Sequence, residues 1–551
     1  MNDAPDDADL PPGYWDSLLM EPEVRQARKA APKPSRLPLI RILGGFRHRA
    51  ADAGLEALSA AGCPFFQRDG QMVRVRVVPA KACDGAVINV PAVAPVPLSL
   101  LGRALGMAAE WQRLGGNDEA DQNPIKEAPR PVRCDPPKEV VEQIAAMAGE
   151  WPFPPLAGII GTQTMRPDGS LLTEPGYDLA TGLYLAAPPP LPPVPDAPTL
   201  EDAQDALATL ASLLAEFPFA DAASESAGMS MLLTAVLRGA LPPAVPMHVV
   251  QAPESGSGKS YLADIASVLA TGERCAVVTV APEQKETESR LIGAALAGYP
   301  IIAIDNCNGV LTGDFLAQVT ERPLLQIRPL GTSTIFRITN TFTVFANGNN
   351  IAVAADLVRR TVLVTLDADM EHPEERKFTG NPIAELQANR GKYIAAALTI
   401  ARGYLAAGSP NRPVPTPSYE RWSDLVRGSL IWLGWADPAS SAAVLRAEDP
   451  VRAARKALFG AWSRELQVGI GYQTAELIRL ASEHNGDGWV RPDLRAAFLA
   501  VAKSRVGDQI DTLRLARWLI AAARVVTDGY KLTVERSDPS RPRWQLVGAH
   551  H

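Results

Sequence analysis

The sequence predicts an α/β protein in several domains, with a parallel sheet at its centre covered by helices on both faces. Three observations carry this expectation. Strand-like and helix-like segments alternate from Pro246 to about Asp369, in the manner of βαβ units. Runs such as "YPIIAIDN" (299–306) are continuously apolar, as strands buried on two faces are. Two proline-rich breaks, "APPPLPPVPDAPT" (187–199) and "GSPNRPVPTPSY" (408–419), cannot continue a helix or a central strand and divide the chain.

At 551 residues the chain is too long for one core, and usual domain sizes give three or four units. A hydrophobic fraction of 46% and a charged fraction of 21% argue against a disordered or fibrous protein. The acidic, proline-bearing start "MNDAPDDADLPPG" is the reverse of a secretion signal. No uninterrupted apolar run approaches the roughly 18 residues of a membrane span; "YIAAALTIARGYLAAG" is broken by Arg402 and reads as a buried helix. A cytoplasmic protein with no membrane partner is therefore expected. Cys63, Cys83, Cys134, Cys275 and Cys307 are scattered without zinc-ligand spacing, which predicts reduced thiols. The net charge of −7 gives no overall attraction to nucleic acid, so any such contact needs a local basic surface.

Taken in order, residues 1–35 lack helical or strand period and read as a tail. Residues 36–186 mix helical pieces ("AADAGLEALSAAG") with strand-like ones ("MVRVRVVPA"), an N-terminal α+β region. Residues 187–199 form the first linker. The unit 200–407 opens with the helices "LEDAQDALATLASLLAEFPF" and "SMLLTAVLRGAL" and continues into the sheet. After the second linker (408–419), residues 420–551 are helical and finish as "RPDLRAAFLAVAKSR", "DTLRLARWLIAAARVV" and the strand pair "GYKLTVERS" and "PRWQLVGA". That succession predicts a winged-helix domain, with Arg514, Arg517 and Lys531 available to DNA, although winged helices also serve as protein-contact modules.

The chemistry is concentrated in "VVQAPESGSGKSYLADI" (249–265). An apolar strand enters a glycine-bearing turn and a helix with Leu262, Ile265, Ala266 and Leu269 on one face follows, the context a phosphate-binding loop requires. Glu254, Ser255, Gly256, Ser257, Gly258, Lys259, Ser260 and Tyr261 make up this cradle. Gly256 and Gly258 let backbone amides turn toward anionic oxygens at a helix N-terminus, Lys259 reaches the β and γ phosphates, and Ser260 offers a ligand to Mg²⁺. Pro253 occupies a position where the GxxxxGK[ST] pattern has glycine; the competing reading is a plain Gly-Ser turn with a surface lysine.

Asp305 ends the strand 299–306, 46 residues after Lys259, where an acid would hold the same magnesium. Asn306 follows it, so the catalytic base is left open between Glu286 and Glu288, while Glu286 also fits an ion pair with Arg290 at i, i+4. "TFTVFANGNN" delivers Asn347, Asn349 and Asn350 to a turn where an amide would orient water; an ordinary asparagine-glycine turn is the rival. Arg359 and Arg360 precede another strand, as surface charge or as a guanidinium offered to a neighbouring subunit's phosphate, a contribution of roughly 10³ to 10⁵ in rate.

In this order, "ESGSGKS", "PIIAIDN", "FANGNN" and "DLVRRTV" resemble the Walker A, Walker B, sensor 1 and arginine-finger elements of AAA+ ATPases, and more narrowly the superfamily III-like helicase modules of phage and plasmid primase-helicases. "RPDGSLLTEPGYDLATGLYL" (166–185) also resembles the segment preceding the ATPase in such proteins. The resemblance covers about residues 200–400. It implies a P-loop AAA+ core using ATP and Mg²⁺, a ring, expected as a hexamer, with Lys259 acting in cis and Arg359 or Arg360 in trans, and single-stranded DNA in the channel. It implies an ATP-dependent DNA helicase or translocase for replication of a phage, prophage or plasmid, working beside replication proteins. The alternatives are an AAA+ switch that loads or remodels a partner without unwinding, and a degenerate ATPase kept as a scaffold. "LLQIRPLGTSTIFRITN" (324–340) would form a hairpin facing the channel, with Arg328 and Arg337 on the DNA backbone or merely on the surface. No acidic metal triad of a primase is visible in 36–185, so priming is not expected.

Overall fold

A computed structural model describes residues 37–81, 87–114, 131–281, 283–307, 309–328, 336–486, 488–504, 507–535 and 542–548. The tail 1–35, Cys83 and the hairpin tip "PLGTS" lie outside the described residues.

The central sheet has five parallel strands: β1 (Met247–Ala252), β2 (Ala276–Thr279), β3 (Ile301–Asp305), β4 (Thr343–Asn349) and β5 (Thr361–Thr365), in the order β2-β3-β4-β1-β5. Successive residues of a strand point to opposite faces, and both faces here are apolar, so neighbouring valines go to different cores. Val250, Phe345 and Val364 pack with α1 (Lys259–Thr271) on one face; Val249, Ile304, Ala346 and Leu363 pack with α2 (Gln284–Ala297) and the helix Asp314–Glu321 on the other. The continuous apolar runs of the sequence thus reflect burial on two sides.

The helices Leu200–Ala211 and Ala222–Val236 lie on the α1 side, the first opened by a capping box between Thr199 and Asp202. There too runs α3 (Pro382–Ala406), which contains "YIAAALTIARGYLA" and is buried along most of its length. Among the described residues no helix is long and apolar enough to cross a membrane. The proline run 187–199 is extended along α3: Arg402 donates to the Pro195 carbonyl (3.0 Å) and pairs with Asp196 (2.9 Å). Residues 158–186 also pack on the central unit, with Met165 in its core and the Thr164 hydroxyl donating to the Val236 carbonyl (2.7 Å).

Toward the N-terminus, helices Arg47–Ala60, Leu98–Ala108 and Lys138–Ala146 enclose a separate core around Leu58, Leu105, Trp111 and Ile144. At the other end, α4 (Pro450–Glu465), α5 (Thr474–Ala481), α6 (Pro492–Ala502) and α7 (Thr512–Ala522) pack around Trp462, Phe498 and Leu519. Their four-stranded antiparallel sheet is β6 (Gly471–Gln473), β7 (Val526–Thr527), β8 (Tyr530–Glu535) and β9 (Arg543–Gly548), ordered β6-β9-β8-β7.

Candidate nucleotide site

β1 ends at Ala252, and residues 253–258 turn back into α1. Gly256 (φ +77°) and Gly258 (φ +93°) take left-handed conformations that cost a side-chain-bearing residue energy. Both are also close approaches. A Cβ on Gly256 would stand 2.9 Å from the Glu374 amide nitrogen, and one on Gly258 3.2 Å from the Phe217 ring. The Glu254 carbonyl accepts from the Ser257 hydroxyl (2.8 Å) and from Lys259 Nζ (2.8 Å), which folds the loop around its own start. Burial pushes the Lys259 ammonium below its usual pKa, while Asp305 and Glu254 pull it back up. Pro253 therefore sits in a turn that nonetheless forms the loop.

Across the sheet edge, Ser260 Oγ donates to Asp305 Oδ1 at 3.3 Å. The same carboxylate oxygen accepts the Asn306 amide (2.7 Å), with Asn306 at φ +58°, so the backbone after β3 fixes the acid's direction. Asn347 lies on the strand between, opposite Val250 in register, and the Cys307 amide donates to its carbonyl (2.9 Å). Its side chain is 2% exposed and its Oδ1 has no partner among the described residues. Asn350 (φ +49°) turns the chain at the end of β4, with its amide directed at the Ala252 carbonyl (3.4 Å).

The donors fit a magnesium-bound triphosphate. A hydroxyl and a carboxylate oxygen side by side are hard ligands of the kind Mg²⁺ takes one or two of, leaving its other positions to water and phosphate. The start of a 13-residue helix supplies amides and partial positive charge beside them. The orphaned Asn347 Oδ1 is a buried acceptor awaiting a donor.

Other expected residues stand as follows. The Tyr261 hydroxyl donates to Asn381 Oδ1 (3.0 Å), and its ring stacks on Phe217 at 6.3 Å, so it ties α1 to the segment leading into α3. Arg359 and Arg360 lie in a 3₁₀ turn before β5, and their partners come from their own subunit. Arg360 is 3% exposed and paired with Asp356 (2.5 Å) and Glu321 (3.0 Å). Arg359 is about half exposed and bonds Asp356 (2.6 Å). Glu286 pairs with Arg290, which also donates to Thr279. Arg328 and Arg337 are exposed on the hairpin Leu324–Ile327/Phe336–Thr339. Arg514 is held by the Lys503 carbonyl (2.7 Å), Arg517 is exposed, and Lys531 is half-buried on β8.

Sequence reasoning missed the segment 366–381. It returns across the loop, bringing Glu374 against Gly256 and bonding Glu216 through the Thr379 amide (2.9 Å) and hydroxyl. Nothing local in "DMEHPEERKFTGN" signals this; the contacts join residues more than a hundred positions apart.

No family model matches the sequence, and no curated protein does. Among solved structures, an apo form of the NrS-1 C-terminal region aligns at 14% identity over 76% of this chain and 92% of that one, with a TM-score of 0.33. The SCCmec type IV Cch helicase aligns at 12% identity over 88% and 97%, with a TM-score of 0.32. The JCV helicase aligns at 13% identity over 45% and 73%, with a TM-score of 0.20. At these scores the likeness carries no functional weight.

Proposed function

We propose that this chain is an ATPase of the AAA+ type that drives a DNA helicase or translocase. The observation that carries the reading is the pairing of Ser260 with Asp305 at the end of a parallel sheet in which the strand bearing Asn347 stands between the nucleotide strand and the acid strand. The turn amides and Lys259 hold the β and γ phosphates. Ser260 and Asp305 would hold Mg²⁺, which would offset charge on the phosphate oxygens. Asn347 orients a water for attack on the γ phosphorus; the bond to the bridging oxygen breaks, leaving ADP, phosphate and a proton.

Arg359, the more exposed of the arginine pair, is the better candidate to reach a neighbour's phosphate in a head-to-tail ring. The resemblance of the ordered motifs to primase-helicase modules supports a role in replication of a phage, prophage or plasmid, with single-stranded DNA in a hexameric channel and the hairpin arginines toward it.

The test is ATP turnover with and without single-stranded DNA, followed by strand displacement on a forked duplex, with Lys259→Ala as control. DNA-stimulated turnover with displacement supports the helicase. Turnover without displacement makes the chain a loading or remodelling switch, and absence of turnover under every condition makes it a scaffold.

A further inference from the structure

Helix α7 buries Leu515, Leu519 and Ala522 and turns another stripe outward. That stripe carries Leu513 (60% exposed) and Ile520 (57%) two turns apart, with exposed Arg517 between them and exposed Arg524 beyond. Val526 (56%) extends it onto β7. A helix face meeting the DNA backbone would gain from polar groups that reach phosphate oxygens, whereas large apolar side chains at both ends gain from burial against another apolar surface. The stripe therefore fits an acidic segment with an apolar centre better than a duplex.

Such a segment exists in the chain. The first 24 residues hold seven carboxylates and no lysine or arginine, and within them lies "YWDSLLM" (14–20). Its Trp15, Leu18 and Leu19 are spaced i, i+3, i+4, with Asp16 among them. From Pro450 to Gly548, by contrast, 16 lysines and arginines stand against 10 acids. This charge split within one chain favours the two regions meeting. Residues 21–36 reach up to about 55 Å when extended, ahead of Leu37 where the described chain begins. A tether raises the local concentration of its segment at any surface within that reach.

We infer that the segment Tyr14–Met20 docks on the outward face of α7, in its own subunit or a neighbouring copy, with Trp15 and Leu18 against Leu513 and Ile520 and Asp16 facing Arg517. The contact does not depend on nucleotide hydrolysis, so its failure leaves the ATPase reading standing.

The test uses the full chain with the photo-crosslinking residue of Trp15→p-benzoylphenylalanine. After irradiation and digestion, mass spectrometry should place the adducts within residues 512–526. Arg517→Glu should reduce them at least tenfold, and adding Asp16→Lys should restore them, an outcome a misfolded helix would not give. Adducts elsewhere, no adducts, or insensitivity to Arg517→Glu overturn the proposal. So does protection of Arg517 from phenylglyoxal by forked DNA in a chain that yields no adduct on α7, which would make the helix a nucleic-acid surface.

Discussion

Gly348 sits on β4 between Asn347 and Asn349, and an alanine there would set a methyl carbon 2.8 Å from both the carbonyl carbon and the amide nitrogen of Cys307, and closer still to its oxygen. Ordinary contact with that oxygen needs the two backbones to part by about 1 Å. β4 is held at this point by β1, where Gly348 stands opposite Gln251, while its pairing with β3 ends two residues earlier at Ala346. The shift falls on the turn Asp305–Cys307, which aims the acid at Ser260. Overpacking of this kind costs about 1–3 kcal/mol of stability. A misplacement approaching 1 Å at a reacting centre costs about 10²-fold in rate. Gly348→Ala should therefore lower ATP turnover about a hundredfold, while a fluorescent nucleotide measured without magnesium binds within about threefold of the parent, since Lys259 and its loop are untouched. Gly293→Ala is the control: its methyl meets nothing within 4 Å on α2, and it should stabilise slightly. A folded Gly348→Ala protein with unchanged turnover would refute the reasoning.

His248 is wholly buried on β1, with Nε2 on the Ser230 hydroxyl (2.9 Å), and burial pushes its pKa down to about 3. The unfolded chain takes up that proton near 6.5, so the stability this group contributes is complete above that pH and is lost as pH falls toward 3. About 2 kcal/mol should be gone by pH 5, and denaturant melts of His248→Gln should lack that slope. Arg360→Ala leaves Glu321 and Asp356 without their buried partner and should lower the melting temperature with or without nucleotide, whereas Arg359→Ala should change stability by less than about 0.5 kcal/mol and act on turnover alone. Glu374→Ala removes a carboxylate pressed on the loop 253–258 and, on the proposed reading, should tighten nucleotide binding severalfold by equilibrium titration; weaker binding would mean that Glu374 supports the loop.

What was legible in the sequence is what a short window encodes. The turn at 253–258 announces itself through two glycines before Lys259, and Asp305 through the apolar strand it ends. The buried course of α3 follows from its apolar run, interrupted at Arg402, whose guanidinium leaves the core to meet Asp196. The contacts that were not legible join distant positions. Arg360 finds Glu321 39 residues upstream, and Gly391 is a glycine because a Cβ would come within 3.0 Å of the Pro190 carbonyl carbon and nearer to its oxygen. Pattern and propensity say that 187–199 is extended; only the assembled unit says that it lies flat along α3. For the same reason the sequence places Tyr261 in the cradle but gives no sign that its hydroxyl reaches Asn381 at the start of α3.

The placement of β4 limits how this protein can change shape. Because one strand is laced by hydrogen bonds to both the phosphate side and the acid side of the site, no hinge can open between them, and the two halves must travel as a single plate. Movement is left to the margins, where the chain crosses the loop near Glu374 and where the arginine-bearing hairpin precedes β4.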